Sequence, residues 1–268
     1  MLKTSGPQSN AEQTPPAGRC LVTTSWDDGH SADGRLADLL ASLGVPATFY
    51  VSREGKNRQV SDAFLRDIAS TFEVGAHSLT HPALTQVGDE QLTHEVAGSR
   101  AYIEAITGSE CTMFCYPSSD VDERVALAVR NAGFEGARTN RSLCDGRVDD
   151  PFMLHTTIQV CTHTPSLIRV YSPARYPNSL TLKLDSVPVD AQNRYDWAAL
   201  ARLAFDTIHA TGGVWHLWGH SWEVDACGLW EALEDVLRYV TAHADVALCT
   251  NGQLVRYAMS YVGHDRVL

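Results

Sequence analysis

No stretch of this 268-residue chain approaches the roughly 20 consecutive apolar residues of a membrane-spanning helix. A transmembrane protein is not expected. Residues 1–19 are rich in Pro, Gln, Ser and Gly and contain no apolar run of the kind a secretory signal uses. They read as a disordered leader, and the chain as cytoplasmic. Paired cysteines are missing too: seven Cys, at positions 20, 111, 115, 144, 161, 227 and 249, form an odd set without any C-x-x-C. Neither a disulfide framework nor a zinc ribbon is indicated, and a reducing compartment fits. A basic surplus is absent as well, since 21 Lys and Arg stand against 32 Asp and Glu, a net charge of -11. That balance argues against nucleic acid or an anionic lipid surface as partner and favours a small molecule.

What is present is ordinary globular sequence, 44% hydrophobic and 20% charged, with no internal repeat or dividing linker. Short apolar, β-branched runs at 21–25, 47–51, 72–76, 112–116, 136–139, 154–160, 214–220 and 245–249 alternate with helical patterns. This is the signature of βα units around a mostly parallel sheet, and eight runs suit an α/β barrel forming one domain over 20–268. Leu36, Leu39, Leu40 and Leu43 give one helix, stopped by Gly44 and barred from continuing by Pro46. Asp89 is placed to cap a long helix through Ile106 that ends at Gly108. Further amphipathic helices are expected over 121–132, 197–211 and 229–242. The segment 162–195, with four Pro, breaks the alternation and reads as an insertion loop, where Arg169, Arg175 and Arg194 offer partners for a phosphate.

Two short stretches carry chemistry. The first expected strand runs into Ser25-Trp26-Asp27-Asp28-Gly29-His30, whose adjacent carboxylates repel unless a cation or proton intervenes. Taken alone, Asp-Gly is also common turn chemistry. The third strand runs into His77-Ser78-Leu79-Thr80-His81, two imidazoles four residues apart that share a face on a helical turn. With Asp28 they make a three-ligand site for one divalent ion, with positions left open for water and substrate. The competing reading is that Ser78 and Thr80 cap a helix starting at Pro82.

Together these motifs resemble the polysaccharide deacetylase family, also called the NodB-homology or carbohydrate esterase family 4 fold. Ser25 to Gly29 corresponds to its first motif and His77 to His81 to its second, while the stretches 39–51 and 84–108 are also similar. The resemblance implies a distorted (β/α)7-8 barrel. It implies Asp28, His77 and His81 as metal ligands and Asp27 as the general base that takes a proton from water. The family's third motif brings an Arg, a Pro and an aromatic residue, and here Phe114-Cys115-Tyr116-Pro117-Ser118 lacks the Arg. Tyr116 and Pro117 then line the substrate site, with a backbone N–H near Tyr116 facing the developing oxyanion. Arg138 is the candidate substitute for the missing guanidinium, against the alternative of a surface ion pair. For the fourth motif, Asp145 and Asp196-Trp197 compete. For the fifth, His220 is implied as the acid that protonates the departing amine, with Trp218 lining the acyl pocket. Glu223 or Asp225 would orient His220, and His30 is a possible substrate contact.

The resemblance implies a metal-dependent N-deacetylase acting on an amino sugar of surface-polysaccharide, lipopolysaccharide or sugar-antibiotic assembly. Zn²⁺ is the first candidate ion, with Co²⁺, Ni²⁺, Mn²⁺ and Fe²⁺ compatible with the same donors. A cyclic amide or imide hydrolase of the same fold and a non-catalytic glycan-binding module stand as alternatives.

Overall fold

β1 (Cys20–Asp27) lies at the centre of a parallel sheet, between β2 (Thr48–Val51) on one side and β7 (Gly213–Gly219) on the other. The structure, a computed structural model, describes residues 20–144, 147–162 and 196–262, together with 180, 182 and 188. The leader, nearly all of the 162–195 insertion with its three arginines, and Asp145 lie outside the described residues. From β2 the sheet continues through β3 (Glu73–Ala76) and β4 (Met113–Cys115) to β5 (Gly136–Arg138), and from β7 to β6 (Ile158–Gln159). β8 (Ala247–Leu248) pairs with the start of β1. All eight expected strands are present. The sixth is much shorter than its apolar run, because only its end lies alongside β7. Its beginning reaches the opposite edge, where Leu154 bridges in parallel to Arg138 of β5. The sheet therefore curls round on itself, which is the distorted barrel expected from the sequence.

The sheet is covered by α1 (Asp33–Ser42), α2 (Asp62–Ile68), α3 (Asp89–Thr107), α4 (Glu123–Asn131), α5 (Trp197–Thr211), α6 (Ser221–Ala226), α7 (Trp230–Thr241) and α8 (Asn251–Val262). The N-cap of α3 is Gly88, with Asp89 in the first turn; Asp122 caps α4 by accepting from Val125 N–H at 2.8 Å. The short helices α2 and α6 carry no long apolar stripe, and neither they nor α8 are among the helices expected from the sequence.

Strand alternation sorts side chains between two environments. Cys20, Val22 and Trp26 of β1, Phe49 of β2, Phe114 of β4, Ala137 of β5 and Leu217 of β7 face the helices in one large apolar cluster. Leu21, Tyr50, Met113, Cys115 and Val214 face the interior. The same inward parity turns polar towards the strands' C-terminal ends. Ser25 lies 2.8 Å from His216 Nε2, Asn251 Nδ2 donates to Tyr50 Oη at 2.9 Å, and Asp27 closes β1. Catalytic groups of parallel barrels gather at that edge.

Candidate active site

Asp27, Asp28, His77, His81, Tyr116, Arg138, Trp218 and His220 line one cavity of about 330 Å³, together with Lys56, Asn57, Ser118, Asn140 and Trp222. Chain ends and turns bring them together. Asp28, immediately after β1, has φ of +82°, and Gly29 has φ of +74°; a Cβ on Gly29 would sit 2.9 Å from Val51 Cγ1. Only glycine fits that turn, and the left-handed conformation of Asp28 re-aims its carboxylate away from the strand direction.

His77 and His81 are not on a helical turn. Ser78 and His81 both have φ of +59°, and this looped backbone sets the two rings edge to face with centroids 4.7 Å apart. The helix proposed at Pro82 is absent; a 3-10 turn follows at Leu84–Gln86. What holds the loop is Glu95 of α3, only 2% exposed. Its Oε2 accepts from the N–H of Leu79 and of Thr80, both at 2.9 Å, and its Oε1 from Thr80 Oγ1 at 2.6 Å. Ser78 Oγ accepts from His81 N–H at 2.9 Å.

The donor set suits a divalent cation. His77 Nδ1 lies 2.8 Å from the Cys115 carbonyl; a carbonyl can only accept, so Nδ1 carries the proton and Nε2 presents its lone pair. Burial pushes the His77 pKa down to about 4, so the ring is neutral. His77 Nε2 and His81 Nε2 each lie 3.9 Å from Asp28 Oδ1. Metal–ligand bonds of about 2.1 Å place neighbouring donors roughly 3 to 3.5 Å apart, so a slight closure of these side chains would bring the three donors to ligating distance of one ion. Burial alone would raise the Asp28 pKa, but His220 and hydrogen bonds from Asn57 and Trp222 hold it below the usual carboxylate value.

Asp27 lies beside this set: a carboxylate oxygen of Asp27, a ring nitrogen of His77 and the Cys115 sulfur fall within 4.8 Å of one another. Arg138 Nη2 donates to Asp27 Oδ1, and Cys115 Sγ lies 3.8 Å from Oδ2. Arg138 is fully buried, which removes the surface ion-pair alternative, and its guanidinium carbon sits 5.3 Å from the Tyr50 ring and 4.9 Å from the Trp218 ring. His220, the N-cap of α6, uses Nδ1 to donate to Glu223 Oε2 at 3.2 Å, leaving Nε2 3.9 Å from Asp28 Oδ2. Burial works against protonation of His220; the Glu223 hydrogen bond and the charges of Asp27 and Asp28 outweigh it and raise its pKa. Gln159 Nε2 donates to the same Glu223 oxygen at 3.2 Å.

Other expectations are corrected. The Tyr116 N–H itself donates to the Arg138 carbonyl at 3.1 Å, so that one of the backbone groups near Tyr116 is committed to the sheet. The Tyr116 ring packs on Phe114, and its hydroxyl donates to the Phe152 carbonyl at 3.1 Å. Pro117 opens a 3-10 turn beside the cavity and does not line it. Asp225 accepts from Trp230 Nε1 at 2.9 Å rather than orienting His220. Asp196 caps α5 and Trp197 is core, so neither reaches the site. His30 Nδ1 accepts from Ala32 N–H at 3.2 Å within its own turn, outside the cavity lining. Asn57, Trp222 and Glu95 went unnoticed in the sequence. Trp222 lies two residues beyond His220, but nothing in that spacing marks it.

Fold and donor set define the class: a parallel α/β barrel with one carboxylate and two imidazoles converging at the strands' C-terminal edge. Residues 14–137 match the family described as Polysaccharide deacetylase. The Bifunctional xylanase/deacetylase of Pseudobutyrivibrio xylanivorans is 24% identical over 140 residues, 52% of this chain but only 23% of that protein. A Mycobacterium smegmatis protein assigned as a polysaccharide deacetylase shares the fold with a TM-score of 0.67 at 16% identity, over 98% of this chain and 96% of that one. A wild-type CE4 family pseudoenzyme from Bacillus anthracis shares it with a TM-score of 0.54 at 16% identity, over 88% of this chain and 66% of that one. The part of the chain carrying the Asp27–Asp28 and His77–His81 motifs thus matches the polysaccharide deacetylase family model, as the motifs indicated, and the barrel is the fold of these solved structures.

Proposed function

We propose that the chain is a metal-dependent N-deacetylase that removes an acetyl group from an amino sugar, an intermediate of surface-polysaccharide, lipopolysaccharide or sugar-antibiotic assembly in the cytoplasm. The observation that carries this reading is the convergence of Asp28, His77 and His81 with Asp27 and His220 on one cavity. A divalent cation held by Asp28, His77 and His81 supplies Lewis acidity, making water acidic enough to ionise near neutral pH and polarising the acyl carbonyl. Zn²⁺ suits this donor set, as do Co²⁺, Ni²⁺, Mn²⁺ and Fe²⁺.

The protein's own groups divide the proton work. Arg138 takes Asp27 Oδ1, and Oδ2, with only the weak thiol donor Cys115 at 3.8 Å, is the proton acceptor for the attacking water. His220, held by Glu223 and with its pKa raised, delivers a proton to the amine as the carbon–nitrogen bond breaks. Trp218 and Trp222 flank His220, with ring centroids 5.5 and 5.0 Å from its own, and wall the acyl end of the cavity.

The test is to incubate the purified protein with N-acetylated amino sugars and, separately, with cyclic amides, and to quantify acetate and ring-opened acid. Acetate in step with free amine supports the reading. Ring opening without acetate from any sugar moves the chain to the cyclic amide hydrolases, and neither product leaves the glycan-binding alternative.

A further inference from the structure

The two oxygens of Asp28 have different surroundings. Oδ1 faces the histidine pair, 3.9 Å from each Nε2. Oδ2 accepts two hydrogen bonds, from Asn57 Nδ2 at 2.9 Å and from Trp222 Nε1 at 3.0 Å. The donors come from unrelated parts of the chain, Asn57 from the β2–α2 connection and Trp222 from the first turn of α6, and they meet only at this oxygen. A carboxylate carrying two neutral N–H donors on one oxygen has little lone-pair capacity left there. Rotation about its χ2 would break both bonds.

We propose that Asn57 and Trp222 are positioning residues that restrict Asp28 to a single ligating oxygen and thereby set the affinity and coordination number of the metal site. The inference rests on the metal reading given above and goes further, by assigning to this chain the groups that shape its carboxylate ligand. Trp222 has a second attachment: its ring lies 5.0 Å from the His220 ring, tilted by 31°. Because His220 is the N-cap of α6 and Trp222 lies in the same turn, the indole ties the position of the ligand Asp28 to that of the acid His220. Any movement of α6 displaces both.

The experiment is a titration of the metal-free protein with Zn²⁺ against a competing chelator, for the wild type, Trp222→Phe, Asn57→Ala and the double variant. Trp222→Phe keeps an aromatic ring against His220 and removes only the N–H. Asn57 is half-buried in a connection, so its truncation leaves the barrel intact even if the tryptophan variant folds poorly. Each single change is expected to weaken binding about 10- to 100-fold, the range for hydrogen-bond partners of metal ligands, with the melting temperature of the metal-free protein unchanged. With Co²⁺ in place of Zn²⁺, the visible bands, which report coordination number, should shift in the variants as the freed Oδ2 turns to the ion. Wild-type affinity together with an unshifted Co²⁺ spectrum in both single variants overturns the proposal. A wild-type protein that binds no divalent ion overturns instead the metal reading beneath it, so the two failures are distinguishable.

Discussion

Cys115 and Arg138 are register partners on adjacent strands, and their side chains address the two oxygens of one carboxylate: Arg138 donates to Asp27 Oδ1, and Cys115 lies 3.8 Å from Oδ2. A guanidinium therefore reaches Asp27 from the strand next to the stretch Phe114 to Ser118. Arg138→Met should leave Asp27 buried without its counter-ion and cost roughly 3–5 kcal/mol of stability, the usual effect of breaking a buried pair. Turnover should fall with it, because the orientation of the proton acceptor is lost. In a protein that also carries Cys115→Arg, Arg138→Ala should recover part of the lost kcat. Chemical denaturation and steady-state kinetics measure the two effects, and an unaltered kcat in Arg138→Met would remove Arg138 from the mechanism.

His220→Gln should separate amide from ester hydrolysis. An amine leaves only with a proton, so kcat on the N-acetyl sugar should drop by about 10²- to 10⁴-fold. With 4-nitrophenyl acetate the leaving group departs as an anion, and the loss should be much smaller. Equal losses on both substrates would mean that His220 acts in binding rather than as the acid.

Glu95 does not line the cavity, yet three donors of the His77–His81 loop end on it. Glu95→Ala leaves those donors unpaired and should cost roughly 3 kcal/mol, lowering the melting temperature of the metal-free protein and the metal affinity together. A variant with full stability and full affinity would show that the loop keeps its left-handed turns unaided.

His216 gives the stability a pH dependence. Burial drives its pKa down to about 3, and Ser25 and the His155 carbonyl bind the neutral ring. Below about pH 6.5 the unfolded chain takes up a proton that the folded one refuses. Stability therefore falls as pH drops from about 6.5 towards 3, by about 1.4 kcal/mol per pH unit from this residue. Denaturation curves across that range should show a shallower slope for His216→Gln, and an identical slope would assign the acid sensitivity elsewhere.

Apolar periodicity made the eight strands and the helices α1, α3, α4, α5 and α7 legible, because each must bury one face. Asp27, Asp28, His77 and His81 were legible as residues of one cavity because carboxylates and imidazoles at two strand ends carry their chemistry in their identity. Backbone conformation was not: the positive φ of Ser78 and His81 has no signature in residues that tolerate it without requiring it, and the histidine spacing suggested a helix instead. Long-range partners were equally hidden. The commitment of the Tyr116 N–H to Arg138 depends on strand register, and the meeting of Asn57 with Trp222 at Asp28 joins positions 165 residues apart (222 minus 57).

The account turns on a metal ion held by Asp28, His77 and His81 with Asp27 as the proton acceptor, and one measurement tests it most directly. Acetate release from an N-acetylated amino sugar is followed with metal-free protein, and again after one equivalent of divalent ion, for the wild type and for Asp27→Asn. The expected result is no turnover without the ion and recovery with it in the wild type, while Asp27→Asn binds one equivalent and stays inactive. Full turnover by the metal-free wild type, or by Asp27→Asn, would contradict the account.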